Sequence, residues 1–276
     1  MPDFLSTMAD ASRARVRDAK RRVSESSLLA EALAAPPPSA FVLGEQGFDV
    51  VAEIKPRSPA GAAMGQDRGR TATDRAGAYE RGGACAISVL TEPSAFAGSL
   101  ELLRDVGRRA TLPVMRKDFL VDPYQVVEAR ALAASGVLLI APLLEGRLLS
   151  EMIATAAATR LFVVLEVFDA RDVERAVRAL AGAPEPALLG VNARNLATLT
   201  IDAGCHAALA ALVPPHVARL AESGIETPDD AARVARLGYR AALVGSALMR
   251  SADPGALVAG MIAAGRANAL ARETAS

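Results

Sequence analysis

"VVAEIKPRSPAG", residues 50–61, opens as a buried strand and closes on charges and turn formers. An apolar run bounded by turn formers reads as a strand, and side chains two positions apart on a strand share a face. Glu53 and Lys55 therefore point the same way. Burying a charge is costly unless it is paired, so that face must neutralise itself, reach water at a strand end, or meet a charged ligand. The stretch also decides the architecture. A doubly wound dinucleotide fold places a G-x-G-x-x-G turn after its first strand, and residues 55–61 offer nothing of the kind.

Similar apolar runs recur along the chain: "FDVVAEI", "ACAISVL", "LPVMR", "GVLLIAPL", "LFVVLEVF", "ALLGVN", "VARLAES" and "AALVGSAL". Helical spacing fills the intervals, as in "DPYQVVEARALAAS" and "DARDVERAVRALAG". In "TPDDAARVARLG", Thr227 and Pro228 suit a helix start and Gly238 a helix end. Eight strand–helix units predict an α/β protein, a (β/α)8 TIM barrel closed by parallel strands, a class that commonly runs to about 250 residues. The barrel is expected over residues 48–276. Residues 1–47 read as a helical extension and a linker that Pro36 to Pro38 hold extended.

Of the 276 residues, 51% are hydrophobic and mean hydropathy is +0.24, yet apolar runs are strand-length and none approaches a membrane span. Basic and acidic residues balance at 31 each, so no global field recruits nucleic acid or an anionic membrane. Cys85 and Cys205 do not form a metal-ligand spacing and His206 and His216 are the only histidines, so neither a histidine-rich metal centre nor a Ser/His/Asp triad is expected. The N-terminus lacks the apolar core of a secretory signal, which reads as a cytoplasmic protein. Function must then lie in a site binding a small molecule.

In a barrel of this kind the site forms where strands end, at the carboxyl-terminal face. Those ends carry Glu53 and Lys55, Lys117 and Asp118, Glu166, Asn192 and Arg194, Glu222 and Ser223, then Gly245 and Ser246. Together they predict one polar ring containing both signs. Ser223, Gly224, Gly245 and Ser246 lie on the last two strands, where freed backbone N–H groups can cradle a phosphate. Lys117 is either a surface lysine paired with Asp118 or a group that delivers a proton to a carbonyl oxygen or condenses with one. Glu166, alone in an apolar strand, is a general base or a counter-charge to a lysine. Cys85 reads as a small core residue.

The blocks "VVAEIKPRSPAG", "AISVLTEPSAFAGSLELL", "LPVMRKDFLVDPYQVVEARALAASGVLLIAPLL", "LLGVNARNLATLTID" and "LAESGIETPDDAARVARLGYRAALVGSALMRSADP" resemble the indole-3-glycerol phosphate synthase family of tryptophan biosynthesis, in order, over residues 48 to 258. The resemblance implies a carboxy-lyase. Its substrate would be 1-(2-carboxyphenylamino)-1-deoxyribulose 5-phosphate, converted to indole-3-glycerol phosphate, carbon dioxide and water without cofactor or metal. It further implies that Lys117 is the general acid and Glu166 the base or proton shuttle of the later dehydration. Lys55 would contact substrate and share the acid role, Glu53 would orient the lysine, and Asn192 and Glu222 would touch substrate. Ser58, Ser223, Gly224, Gly245 and Ser246 would line the phosphate side, with Arg194 nearby, while Phe96 and Phe119 could stack on the aromatic ring. The N-terminal helix would help cover the site, and docking with other tryptophan-pathway enzymes is possible.

Some residues depart from the family pattern. Ala60 follows Ser58 and Pro59 where a second serine is usual, Pro142 and Leu143 follow the fourth strand, and "NARN" replaces "NNRD" or "NSRD". These changes leave room for a relative acting on a different arylamine sugar phosphate. A non-catalytic phosphate-binding barrel would have no reason to keep Lys55, Lys117 and Glu166 together. A phosphoribosylanthranilate isomerase would need a cysteine and an aspartate at strand ends.

Overall fold

The structure, a computed structural model, describes residues 4–273 except 46, 58–70, 182, 184–185 and 196–197, with side chains up to residue 269. Ser58, and with it Pro59, Ala60 and Gly61, lies outside the described residues.

All eight expected strands form: β1 (Asp49–Ile54), β2 (Ala86–Leu90), β3 (Val114–Lys117), β4 (Gly136–Ile140), β5 (Phe162–Val167), β6 (Ala187–Asn192), β7 (Ala218–Glu222) and β8 (Ala241–Val244). Each pairs in parallel with the next, and β8 closes on β1. The closure follows from burial on both faces, since every strand is buried at nearly every position and alternate side chains go to opposite sides. Val51, Met115, Leu138, Val164, Leu188 and Leu220 fill the barrel interior. Their neighbours Val50, Val114, Leu139, Val163, Leu189 and Ala221 pack outward under the helices.

The helix signals hold. Helix Pro228–Arg236 starts at Thr227, whose hydroxyl accepts from Asp230 N while the Asp230 carboxylate accepts from Thr227 N, and Gly238 follows its end at a φ of 86°. Asp122 and Asp169 cap the helices Pro123–Ala131 and Ala170–Leu180.

The N-terminal segment forms helices α1 (Phe4–Arg22) and α2 (Glu25–Ala34). Arg15 on α1 pairs with Asp118 at 2.8 Å, Lys20 pairs with Asp122 at 2.9 Å, and Ser12 accepts from Gln125 at 3.0 Å. These contacts lay α1 along the carboxyl ends of β2 and β3. The linker then descends the flank, where Arg130 donates to the carbonyl of Ala35 at 2.9 Å. It ends with Phe41 stacked on Phe162 at the amino end of β5, ring centroids 4.5 Å apart. Among the described residues no helix is long and apolar enough to cross a membrane.

Candidate active site

Strand parity builds the site. Counting by twos from the interior residues Val51, Met115, Val164 and Leu220 reaches Glu53, Lys117, Glu166 and Glu222, so the same alternation that fills the barrel sends these side chains into its mouth. Lys55, Asn192 and Gly245 continue their own strands by the same rule. All seven line one cavity, together with Phe96, Phe119, Arg194, Ser223, Gly224 and Ser246. Apart from Asp118, every described member of the predicted ring therefore points into one place.

Glu53 and Lys55 neutralise each other at 2.9 Å, in side chains 4% and 12% exposed. Burial opposes the charge of Glu53, but Lys55, Lys117 and Arg194 outweigh it and hold its carboxyl below the usual range. Lys117 does not pair with Asp118. Parity turns Asp118 outward, where it accepts from Arg15, Thr91 and Arg116, so the surface-pair reading of Lys117 is corrected. Lys117 instead crosses the mouth, placing Nζ 2.5 Å from Glu222 and 3.9 Å from Glu166. Burial disfavours its ammonium, yet Glu222, Glu166 and Glu53 more than compensate and raise its affinity for the proton.

Glu222 behaves oppositely. Burial disfavours its charge, and Glu166 and Glu53 repel it, so its carboxyl is pushed up to about 8 despite Lys117. Asn192 donates its side-chain amide to Glu166 and accepts from the backbone N–H of Arg194 at 2.9 Å. It thereby fixes both the carboxylate and the start of the next loop. Arg194 is held over the cavity edge by donating to the carbonyl of Leu199 at 2.8 Å.

On the adjoining rim, Ser223 and Gly224 leave β7 with φ values of 63° and 70°. A serine in that region is strained, as residues beside ligands often are. Helix Ser246–Arg250 begins at Gly245 with no side chain capping it, which leaves backbone donors open towards the cavity. Gly245 has a second reason to lack a side chain: a Cβ there would lie 2.2 Å from Glu53.

An apolar wall completes the cavity. Phe119 lies 6.2 Å from Phe96 and 5.9 Å, edge-on, from Phe4 of α1. Leu138, Ile140 and Phe168 also line it, and the sequence reading missed them along with Phe4. Parity could have found three of these, because Phe168 stands two positions after Glu166 and the other two share the inward face of β4. Nothing in the sequence places Phe4 there. Cys85 precedes β2 at the far end of the barrel and donates to the carbonyl of Val50. Among the described residues no cluster of three or more His, Cys, Asp or Glu could hold a metal ion.

A lysine held near its charged form, carboxylates fixed beside it and an apolar wall define an acid–base enzyme of the barrel class. The sequence profile described as indole-3-glycerol phosphate synthase matches residues 5–261. The chain is 45% identical over 221 residues to the indole-3-glycerol phosphate synthase of Kineococcus radiotolerans, covering 80% of this chain and 78% of that one. It is 40% identical over 263 residues to that of Mycobacterium avium, covering 95% and 94%. Against "Indole-3-glycerol phosphate synthase 1" of Streptomyces coelicolor it is 41% identical over 270 residues, covering 96% and 97%. Among solved structures, 3-hexulose-6-phosphate synthase superposes with a TM-score of 0.59 at 16% identity, over 79% of this chain and 99% of that one, a likeness of fold. The chain belongs to the indole-3-glycerol phosphate synthase family.

Proposed function

We propose that the chain carries out the reaction its family is named for, closing 1-(2-carboxyphenylamino)-1-deoxyribulose 5-phosphate to indole-3-glycerol phosphate with loss of carbon dioxide and water. The observation that carries the reading is Lys117, an ammonium held charged across the mouth of the barrel between Glu222 and Glu166. When the carboxylate-bearing ring carbon attacks the ketone, a carbon–carbon bond forms and the oxygen gains negative charge. Lys117 supplies that oxygen with a proton, and loss of carbon dioxide returns its bonding electrons to the ring. In the dehydration, the new hydroxyl takes a proton from Lys55 and leaves as water, while Glu166, oriented by Asn192, removes the proton from the neighbouring ring carbon, whose bonding electrons form the new double bond.

Lys55 and Glu53 act as a buried pair that contacts substrate and steadies the field around Lys117. Phe96 and Phe119 offer faces to the aromatic ring. The rim formed by Ser223, Gly224, Gly245 and Ser246 takes the phosphate, with Ser58 assigned to the same side from its sequence match. Burial and the neighbouring Glu166 and Glu53 push the Glu222 carboxyl up, which lessens the negative charge of the mouth and favours an anionic substrate. A cytoplasmic location and docking with neighbouring enzymes of tryptophan synthesis belong to the same proposal.

The test is a fluorescence assay for indole-3-glycerol phosphate, run on purified protein with the carboxyphenylamino-deoxyribulose phosphate and a chelator. Steady formation of the fluorescent product is expected. Tight binding without product would overturn the reading in favour of another arylamine sugar phosphate.

A further inference from the structure

Strand β6 carries a glycine, Gly190, in the middle of an otherwise apolar run. A glycine inside a strand weakens it, because it offers no side chain to pack and loses more freedom on folding. Its backbone does not require one: Gly190 is not among the glycines with positive φ. The reason must lie in the space beside it.

Gly190 faces the barrel interior two positions before Asn192, paired with Glu166 on one side and Leu220 on the other. A Cβ at this position would lie 2.4 Å from Oε1 of Glu222 and 3.0 Å from Cγ1 of Val164. The first distance is an overlap with a carboxylate that is itself only 1% exposed. Oε1 is buried with no hydrogen-bond partner among the described residues, whereas Oε2 lies 2.5 Å from Lys117. Glu222 therefore sits with one oxygen in a dry notch over Gly190 and the other against the lysine.

We propose that Gly190 is a positioning residue for the reaction: its missing side chain forms the notch that seats one oxygen of Glu222 and so aims the other at Lys117. This rests on the acid role proposed above for Lys117. A methyl group in the notch drives the carboxylate towards the open mouth, where it hydrates and lets go of the lysine. The burial that raises the Glu222 carboxyl is a property of the same notch.

The experiment compares Gly190→Ala, Glu222→Ala and the double variant in full-length protein, by turnover and by urea unfolding across a pH series. Gly190→Ala should lower kcat by roughly tenfold or more with KM little changed, since small misplacements of catalytic groups have effects of that order. It should also move the alkaline loss of stability to lower pH. In the Glu222→Ala background the same substitution should leave kcat and the pH profile unchanged, because the notch is then empty. Wild-type kcat and an unmoved profile in Gly190→Ala, or equal losses with and without Glu222, would overturn the proposal. If Gly190→Ala does not fold, the double variant decides: folding like Glu222→Ala supports the notch, and failure to fold refutes it. If the wild-type protein turns over no substrate, the functional reading falls while the unfolding series still tests the notch.

Discussion

Lys117 and Glu222 rise from strands on opposite sides of the barrel axis, β3 and β7, and meet at 2.5 Å above the interior. Glu222, Glu166 and Glu53 together raise the lysine's hold on its proton, and the contact fixes it where a substrate oxygen must come. Replacing Lys117 by Ala should lower kcat by about 10²–10⁴-fold, the range typical of a lost acid–base group. Affinity for a phosphate-bearing product analogue should persist, because the rim at Ser223, Gly224, Gly245 and Ser246 is untouched. Binding lost in proportion to turnover would refute this division of roles.

Glu166→Gln keeps the size of the side chain and an oxygen for the Asn192 amide. Unfolding in urea should therefore match wild type, while kcat falls on the order of 10²-fold or more. A shifted midpoint with intact turnover would make Glu166 a structural counter-charge.

Glu222 should make stability pH-dependent. In the fold its carboxyl holds a proton up to about 8, against roughly 4.3 in an unfolded chain. Between these values the folded state binds more protons, so the contribution is complete below the lower one and is lost as pH rises through the upper one. Glu222→Gln should flatten the decline in urea-unfolding free energy over that window. An unchanged slope would show that Glu222 is charged in the fold at neutral pH.

Asp118 is 2% exposed and answers both Arg116, equally buried, and Arg15 of α1. Among the described residues, Asp118→Ala leaves the Arg116 guanidinium with only Glu128 as an ionic partner. Stability should fall by about 3–5 kcal/mol, as when one member of a buried pair is removed, and α1 should become accessible to protease. A loss below about 1 kcal/mol, the level of a surface pair, would mean that water reaches the network.

The barrel was legible because parallel strands buried on both faces write themselves as apolar runs, and because signals such as Thr227, Pro228 and Gly238 mark where a helix starts and stops. The ring was legible for a related reason: charges at strand ends with inward parity have nowhere to go but the mouth. Partners across the mouth were not. Lys117 has Asp118 beside it in sequence, yet parity separates them, and Glu222, over a hundred residues away, is the true neighbour. Phe4 escaped because a helix docked by Arg15 and Lys20 owes its position to tertiary ion pairs that leave no local pattern.

The strap that runs from Phe4 at the mouth to Phe41 at the floor has a consequence for biogenesis. Its anchors, Asp118, Asp122, Arg130 and Phe162, all emerge from the ribosome well after it does. Synthesis proceeds from the amino end, so α1 and α2 spend the making of the first three strands without the surface they settle on. The two helices are thus unable to take their place until about a hundred further residues have followed them.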